Sequence, residues 1–482
     1  MMERTSLHVP RSLPEEQGIP SAALIEFLNA VQERNLELHS LMLLRHGQVV
    51  AEGWWKPYAS DIPHMLFSLS KSFTSTAIGF AASEGKLSVD DTVVSFFPDD
   101  APEEIEPNLS AMCIRHLLMM GTGNDKDTTS SLHKSEDGNW AKAFLQAPVE
   151  HVPGTHFVYN SGATYMLSAI LQKVTGQTLL DYLQPRLFEP LGIEGATWES
   201  CPRGINVGGW GLSITTEDIA KFGQLYLQKG MWNGKRLLPE AWIEEATSKQ
   251  ISNGDGGDSD WAQGYGYQFW RCRHGVYRGD GAFGQFCIVM PEQDAVLAMT
   301  SGTNDMQGVL NAVWDHLLPA MKPSPLSLSP DQDSQAKLEA RLKALTIDHP
   351  RQQPDCSLEA AISGKEYELE DNDQHWTSFS VSFEDNRAVV VLSKQENEYT
   401  INLGRCDWVE GTTRLLQDED KRVASSFTWL QEDTLQLTLR FIETPFGYTS
   451  RILFEGDTIV LNQNSNVLSD LTEIRGRVTE LA

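Results

Sequence analysis

Basic residues are scarce in this sequence of 482 residues. It carries 38 Lys and Arg against 66 Asp and Glu, which gives a formal net charge of −28 at pH 7. Nucleic acids and anionic membrane surfaces both need a basic face on the proteins that bind them. We therefore expect neither a nucleic acid nor a membrane as a partner, and solubility accounts for the acidity itself.

Cysteine is also sparse, and its six residues follow no motif. They are scattered at positions 113, 201, 272, 287, 356 and 406. Without a Cys-x-x-Cys pair or a Cys/His cluster, the sequence indicates neither a zinc site nor a disulfide framework. Reduced thiols in a cytoplasmic protein are the expectation.

Long apolar runs and a leader pattern are missing as well. No apolar run approaches the roughly 18 residues that a membrane-spanning helix needs. The first residues, MMERTSLHVPRSLPEEQGIPS, contain neither the apolar core nor the small-residue cleavage site of a secretory signal. The hydrophobic share of 40% and the charged share of 22% are instead those of an ordinary globular protein.

Apolar patterning predicts an α/β unit in the N-terminal part of the chain. Residues 39–55 form two apolar runs around His46–Gly47–Gln48, which is typical of a β-hairpin. Residues 284–302 indicate a strand, a turn and a second strand, and helical patterns fill the sequence between the two hairpins. Strands at both ends with helices between them favour one antiparallel sheet flanked by helices.

The composition changes near residue 322. Residues 322–335 are dominated by Pro, Ser and Asp, which is typical of a linker, and a short charged helix is predicted after them. From residue 363 onward, short alternating runs are separated by turn residues, which indicates a small all-β domain with a barrel-like sheet. The predicted domains are therefore 1–321, 322–350 and 351–482.

Residues 66–73, LFSLSKSF, place a serine and a lysine one helical turn apart in an apolar run. The Ser-x-x-Lys pattern is weak by itself, so context has to choose among its copies. The copies are Ser68/Lys71, Ser83/Lys86, Ser131/Lys134 and Ser334/Lys337. Only Ser68 stands at the start of a helix apolar enough to be buried, whereas the other three lie at a charged helix end, in a polar loop and in the linker.

The placement of Ser68 and Lys71 suits nucleophilic catalysis. Side chains three residues apart share a helix face, so Lys71 can reach the Ser68 hydroxyl. Burial disfavours the ammonium form and lowers a lysine pKa, which allows the amine to act as a base near neutral pH. A serine hydroxyl becomes a good nucleophile once such a base contacts it. The same octapeptide also fits a serine near a helix N-cap beside a lysine that extends to solvent.

Three further stretches with motif-like residues follow residues 66–73 along the chain. They are PGTHFVYNSG at 153–162, GGWGLSITT at 208–216 and YRGDGAFGQFCIVMPE at 277–292. Together with residues 66–73 they resemble the β-lactamase-related serine hydrolases, a family that includes class C β-lactamases, DD-peptidases, D-amino-acid amidases, nylon-oligomer hydrolases and esterases. The resemblance covers roughly residues 12–320 and implies a β-lactamase/transpeptidase-like fold for this part of the chain.

The resemblance also implies an acyl-enzyme mechanism. By the match of motifs, Ser68 is the nucleophile, Lys71 its partner base and Tyr159 the residue that passes protons to the leaving group. The backbone amides of Ser68 and Ala282 match an oxyanion hole, which stabilises charge on the reacting carbonyl oxygen. No metal or organic cofactor is implied. The expected partner is a small ester or amide substrate, and a homodimer remains open.

Two motifs depart from the family pattern. The second is usually Tyr-x-Asn but here ends in Ser161, as in the nylon-oligomer hydrolases, and a shifted register would give Asn160 that role. The third is usually Lys or His followed by Thr-Gly but is here Gly279–Asp280–Gly281. These five residues are the predicted substrate-binding set. Because the basic residue that would meet a substrate carboxylate is missing, we expect a neutral or cationic acyl substrate.

Several other residues have weaker claims to a role. Arg278 adjoins the third motif, but side chains alternate along a strand, so it is expected to point away from the cleft. His64 has no defined geometry toward Ser68 and is not expected to be the base. Residues 253–260, NGDGGDSD, resemble a calcium loop without its terminal Glu and are interpreted as a flexible loop. Five aromatic residues fit either an acyl pocket or the core: Trp210, Tyr265, Tyr267, Trp270 and Phe283.

The sequence thus predicts a serine hydrolase that cleaves ester or amide bonds, with an esterase or a D-amino-acid amidase favoured. A β-lactamase or DD-peptidase is the second choice among enzymes. The alternative of another class is a catalytically weak binding or sensor protein that acylates without deacylating, which the departures at Ser161 and Gly279 make worth testing. The C-terminal β domain is expected to be either a stabilising or dimerising module or a lid.

Overall fold

The first and last strands of the N-terminal unit pair with each other in one sheet. The computed structural model describes residues 8–322, 327–347, 356–415, 419–468 and 471–479. The chain divides into two compact units. The first runs to Ala344 and omits Trp54–Ala59, which group with the second unit from Leu345 onward.

Strands of the first unit form a central antiparallel sheet and smaller pairings. In chain order the strands are β1 (Leu38–Arg45), β2 (Gln48–Trp54), β3 (His64–Met65), β4 (Thr197–Trp198), β5 (Leu212–Ile214), β6 (Met231–Trp232), β7 (Lys235–Arg236), β8 (Trp270–Arg271), β9 (Tyr277–Gly281), β10 (Gln285–Met290) and β11 (Ala295–Ser301). The central sheet has the order β2-β1-β11-β10-β9-β8. Every residue of β1 and β11 is buried, so the middle of this sheet is covered on both faces. The predicted hairpin and the shared antiparallel sheet are confirmed.

Helices surround this sheet. They are α1 (Ser21–Glu33), α2 (Ser70–Ser83), α3 (Pro107–Ala111), α4 (Ile114–Leu118), α5 (Thr129–His133), α6 (Trp140–Leu145), α7 (Ser161–Thr175), α8 (Leu179–Leu183), α9 (Glu189–Leu191), α10 (Thr216–Leu227), α11 (Glu240–Thr247), α12 (Met306–Ala312) and α13 (Gln332–Lys343). The polar caps follow the sequence signals: Thr215 and Asp218 form a capping box on α10, and Gly176 ends α7 at a φ of 71°.

Helix α2 is buried on all sides along most of its length. All twelve residues from Ser70 to Ala81 are buried, although five of them are serines or threonines. The helix packs beside α7 and against β9. Such packing needs small residues, and a Cβ on Gly79 would lie 2.5 Å from the ring of Trp242. The sequence therefore places a polar helix in the interior, where each hydroxyl needs a partner.

The predicted linker, 322–350, is partly a helix of the first unit. Residues 323–326 and 348–350 of it lie outside the described residues. The predicted charged helix is α13, whose N-cap residue Asp331 accepts a hydrogen bond from Ser334 N at 3.1 Å. Leu338 of α13 is buried, and the helix packs on α1.

The second unit is a barrel. Its described elements are the helix α14 (Glu359–Ile362) and the strands β12 (Glu366–Leu369), β13 (Trp376–Glu384), β14 (Arg387–Lys394), β15 (Asn397–Arg405), β16 (Val409–Thr413), β17 (Lys421–Gln431), β18 (Thr434–Arg440), β19 (Gly447–Glu455), β20 (Thr458–Ser465) and β21 (Thr472–Val478). They run in the order β15-β14-β13-β12-β21-β20-β19-β18-β17-β16. A further pairing of β15 with β17 closes the sheet, which confirms the predicted barrel.

Alternation along the barrel strands builds its core. In β14 every second residue, Ala388, Val390 and Leu392, is buried, and the residues between them are partly exposed. This period of two is what a strand with one face inside a barrel requires. In the part of the chain that the structure describes, no helix is long and apolar enough to cross a membrane.

Candidate active site

Ser68 and Lys71 meet at the start of α2. Ser68 lies in a single 3-10 turn, Phe67–Leu69, that leads directly into the helix. Lys71 Nζ lies 2.9 Å from Ser68 Oγ, as expected for side chains three residues apart on one helix face. Ser68 is half-buried and reachable from solvent, whereas Lys71 is 1% exposed. The alternative of a lysine that extends to solvent does not fit this burial.

The other hydroxyls of α2 hold the helix in place. Ser72 Oγ donates to Gln268 O at 2.8 Å, and Thr74 Oγ1 donates to Gly208 O at 2.9 Å. Ser70 Oγ accepts from Leu212 N at 3.1 Å, which ties the helix to β5. These three hydroxyls have backbone partners, which lowers the cost of burying a polar helix, whereas the buried Ser75 Oγ has no hydrogen-bond partner among the described residues. The result is that Ser68 stands at the start of a helix that is tied to its neighbours.

The surroundings of Lys71 favour its neutral form. Burial lowers the pKa of Lys71 from its ordinary value to about 7, against the smaller opposing effect of the Asp127 and Asp280 charges. The Nζ atom also lies 3.0 Å from Ser161 Oγ and donates to Gly209 O at 2.7 Å. The amine is thus held in place beside Ser68, and its pKa lies near neutral pH.

Tyr159 is the third titratable group at Ser68. Its hydroxyl is in hydrogen-bond reach of Ser68, and burial, followed by the Asp280 charge, raises its pKa well above the ordinary value. The ring stacks on Trp270 with centroids 5.2 Å apart, and Lys71 Nζ lies 4.9 Å from its centroid. The phenol therefore stays protonated and able to donate across the physiological range.

Ser161, and not Asn160, faces Lys71. Ser161 is the first residue of α7, and its hydroxyl contacts the lysine directly. Asn160 is 0% exposed, and its Oδ1 accepts from Gly162 N at 3.0 Å and from the Thr128 backbone and hydroxyl. The predicted substrate-binding role of Asn160 is therefore not supported, because its amide caps α7 inside the protein.

Two glycines of the third motif, Gly279 and Gly281, pack against residues 66–72. A Cβ on Gly279 would lie 2.5 Å from both Leu69 Cδ1 and Ser72 Oγ, and a Cβ on Gly281 would lie 2.0 Å from Leu66 O. The close approach of β9 to residues 66–72 explains why no basic side chain occupies position 279. Both glycines bring the strand to Ser68, so they shape the site through backbone position and not through side-chain contact with a substrate.

Asp280 is paired within the protein. Arg278 and Asp280 share one face of β9, and the guanidinium donates to the carboxylate at 2.9 Å. Both side chains are almost fully buried, and the Trp270 indole also bonds to Asp280. Alternation along β9 places Gly279 on the face opposite to Arg278 and Asp280, and the fully buried Arg278 offers its guanidinium to Asp280. The charge of Asp280 nevertheless acts on the pKa values of both Lys71 and Tyr159.

The predicted oxyanion-hole residues lie on the two segments that the glycines bring together. Ser68 follows Phe67, and Ala282 precedes Phe283, and the two phenylalanine rings meet edge to face at 5.5 Å. Both phenylalanines adopt positive φ angles, 49° and 66°, a strained conformation that is typical of functional sites. The aromatic pair thus marks the junction where the two backbone amides would act.

Two contributors were not found by sequence reasoning. Gly209 supplies a carbonyl to Lys71, and no motif signals a backbone acceptor. Asp127 Oδ1 accepts from Ser161 N at 3.2 Å and raises the lysine pKa. Trp270 supports the Tyr159 ring. Of the candidate aromatic residues, Tyr265 also packs on Tyr159, whereas Tyr267 lies elsewhere, bonded to Glu245.

Two weaker candidates from the sequence, His64 and the loop 253–260, make their contacts outside the group around Ser68. His64 is buried, and its ring contacts His39 at 3.1 Å and the Met65 carbonyl at 3.0 Å. In the predicted flexible loop, Asp260 is fully buried. Burial would raise its pKa, but hydrogen bonds from Arg273, Gln307 and Trp314 lower it to about 2. The loop is therefore anchored at its last residue.

Known proteins resemble this chain in sequence and in fold. A family model described as Beta-lactamase matches residues 11–318. The chain is 25% identical over 313 residues to a 6-aminohexanoate-dimer hydrolase of Paenarthrobacter ureafaciens, which covers 61% of this chain and 80% of the relative. It is 23% identical over 372 residues to penicillin-binding protein 4 of Amycolatopsis lactamdurans, which covers 66% of this chain and 93% of the relative.

Among solved structures, the octameric penicillin-binding protein homologue from Pyrococcus abyssi has a TM-score of 0.50 at 15% identity, over 94% of this chain and 99% of that chain. This likeness shows a shared fold. The matched family region contains all the residues assembled around Ser68, and the resemblance inferred from the motifs is confirmed. The chain belongs to the Beta-lactamase family, whose members are serine hydrolases.

Proposed function

We propose that this protein hydrolyses ester or amide bonds through a covalent acyl-enzyme on Ser68. The observation that carries the proposal is the buried Lys71 amine, 2.9 Å from Ser68 Oγ, with a pKa lowered to about 7. A neutral amine at that distance can take the hydroxyl proton as the oxygen attacks a carbonyl carbon. A solvated lysine would be charged and unable to do so.

The proposed reaction has two halves. Lys71 accepts the Ser68 proton, Oγ bonds to the substrate carbonyl carbon, and the backbone amides of Ser68 and Ala282 stabilise the resulting oxyanion. The intermediate collapses as Tyr159 donates a proton to the leaving alcohol or amine, which leaves an ester on Ser68. Water then attacks this ester, releases the carboxylic acid and restores the hydroxyl.

Tyr159 and Ser161 connect the acid and the base in this scheme. Both contact the Ser68–Lys71 pair, Tyr159 through its hydroxyl and Ser161 through its Oγ, 3.0 Å from Lys71 Nζ. The proton that Lys71 receives can therefore return to Tyr159 after the phenol has donated its own. Ser161 supplies one hydroxyl where the family usually has an amide, so it orients the lysine with less reach toward a substrate.

We further propose a neutral or cationic substrate. Position 279 has no room for a basic side chain, and the charged groups acting on Lys71 are the carboxylates Asp127 and Asp280. An esterase or amidase is therefore favoured over a β-lactamase or DD-peptidase, whose substrates carry a carboxylate.

The test is intact mass spectrometry after incubation with a fluorophosphonate, for wild type and Ser68→Ala. One adduct on wild type and none on the variant is the expected result, followed by turnover of neutral esters and D-amino-acid amides beyond one equivalent. An adduct without sustained turnover would favour the binding or sensor alternative. An unlabelled wild type would overturn the proposal, because Lys71 would then not activate Ser68.

A further inference from the structure

Three metal-ligating side chains meet where two loops lie side by side, outside the Ser68 chemistry. Asp125, His151 and His156 each offer one ligand atom, and these atoms all lie within 4.8 Å of one another. His151 Nε2 is 2.6 Å from Asp125 Oδ1. The two imidazole rings have centroids 4.2 Å apart at an angle of 35°. Sequence spacing gives no metal motif here, because the fold assembles the group.

The backbone fixes the positions of these residues. His151 N donates to Gly123 O at 2.9 Å, and Gly154 N donates to Gly121 O at 2.7 Å. Gly123 has a φ of +91°, and a Cβ there would lie 2.3 Å from His151 O. The two loops thus approach more closely than a side chain would allow. The ligand set is therefore supported on a preformed frame and does not depend on chance contacts between free side chains.

We propose that Asp125, His151 and His156 bind one divalent transition-metal cation of the zinc type. Two imidazole nitrogens and one carboxylate oxygen are ligands that Zn²⁺ accepts in three-ligand sites, with water at the fourth position. Mg²⁺ and Ca²⁺ select oxygen ligands and are not expected to bind here. Asp125 and His156 are exposed and His151 is half-buried, so the cation can enter from solvent.

The geometry needs only small side-chain movements. Zinc–ligand bonds of about 2.0–2.2 Å in a tetrahedral site place neighbouring ligand atoms roughly 3.3 Å apart. The 2.6 Å contact between His151 and Asp125 would widen as the metal replaces the proton between them, and the wider separations in the group would contract.

Metal binding here would clamp two loops that border the active site. Asp127, two residues beyond Asp125, accepts the Ser161 N–H. Tyr159 lies three residues beyond His156. A cation that joins the loops would restrain both residues without contacting Ser68 or Lys71. The site is therefore a structural clamp, and its existence does not depend on the proposed hydrolase activity.

The test is a Zn²⁺ titration of the chelator-stripped full-length protein at about pH 7.5, in competition with a fluorescent zinc chelator. Wild type is expected to bind one Zn²⁺ per chain. His151→Ala and His156→Ala are each expected to weaken binding by at least about tenfold, and Asp125→Asn should weaken it too. His316→Ala, a histidine outside the cluster, and Ser68→Ala should bind like wild type, and Mg²⁺ should not compete.

Thermal unfolding gives the second readout. Zinc should raise the Tm of wild type, because a ligand that binds only the folded state stabilises it, and it should leave the Tm of the His151→Ala and His156→Ala variants unchanged. Equal Tm values without metal would show that these variants fold. Absence of zinc binding to wild type would overturn the proposal, as would equal zinc affinity in wild type and both histidine variants.

Discussion

In the proposed mechanism, the charge state of Lys71 decides whether Ser68 can react. Its pKa near 7 means that the neutral, base-competent form grows in population as the pH rises through that value. The second-order rate constant for fluorophosphonate labelling is therefore expected to rise about tenfold per pH unit below pH 7 and to level off above it. Labelling rates measured between about pH 5 and pH 9 check this.

A Lys71→Met variant provides the control, because it lacks the base and should label slowly with no such rise. A wild-type profile that rises only near the ordinary lysine pKa would contradict the burial argument. Stability follows the same pKa. The folded value lies below the unfolded one, so the unfolded chain holds more protons between pH 7 and about 10.5, and wild-type stability should increase with pH across this window.

At this scale the sequence predicts what local geometry dictates. The pairing of Ser68 with Lys71 follows from helix periodicity, and Ser161 follows from its place in the second motif. The Gly209 carbonyl and the Asp127 carboxylate come from distant segments with no residue pattern of their own, so tertiary structure alone places them. Asn160 shows the opposite case. An Asn directly before a helical pattern is typical of an N-cap. The structure gives Asn160 this capping role and places Ser161, not Asn160, beside Lys71.

Among the elements, the contact between β9 and residues 66–72 sets the positions of the groups around Ser68. In Gly281→Ala the new Cβ would meet the Leu66 carbonyl oxygen at 2.0 Å, and a backbone atom cannot rotate away. We expect a loss of about 1–3 kcal/mol in stability and a fall in labelling rate larger than tenfold, because β9 and Ala282, which follows it directly, would move away from Ser68.

Gly411→Ala is the matched control for this substitution. It changes the same residue type in a strand, β16, where a Cβ would have no neighbour within 4 Å among the described residues. Its Tm and its labelling rate should equal those of wild type. A Gly281→Ala variant with wild-type labelling would mean that the close approach of the two backbones does not position the reactive groups.

The start of α7 is the second element that positions side chains beside Ser68 and Lys71. Asn160 Oδ1 accepts hydrogen bonds from Gly162 and from Thr128, so it joins the helix to the preceding loop. Asn160→Ala is expected to cost about 1–2 kcal/mol through loss of the cap and to slow labelling, since Ser161 and Tyr159 flank it. Urea unfolding together with labelling rates measures both effects.

Thr178→Ala serves as the control cap. Thr178 caps α8 in the same way, by accepting from Asp181 N, but it lies outside the group around Ser68. It should lose stability without losing labelling rate. If the two variants lost stability equally and neither lost activity, the Asn160 cap would have no part in holding Ser161 against Lys71.

For the molecule as a whole, the two architectures are predictable because each has its own hydrophobic period. The N-terminal sheet follows from hairpins at both ends of one unit, and the barrel follows from alternation that continues through β12–β21. The parallel pairing of β15 with β17 that closes the barrel leaves no comparable sequence signal, since closure depends on strand stagger. The Arg278–Asp280 pair is similar: alternation places both on one face, but only the fold shows that the face is buried.

The net charge of −28 acts on the molecule as a whole. A negative field raises the local concentration of cationic substrates and lowers that of anionic ones, and salt screens the effect. For acetate esters that differ only in carrying an ammonium, a hydroxyl or a carboxylate group, raising NaCl from about 20 mM to about 200 mM should lower kcat/KM for the first, leave the second unchanged and raise the third.

The ranking of kcat/KM among the three esters, at low and at high salt, tests the site and the long-range field together. Without a basic residue at position 279, the carboxylate ester gains no ion pair in the cleft, so it should be the poorest of the three even when the field is screened. High salt removes long-range steering but not short-range contacts. If the carboxylate ester became the best substrate at high salt, or if nitrocefin turned over faster than every neutral ester, an anion-binding group would have to exist in the site, and a β-lactamase or peptidase activity would replace the proposed preference.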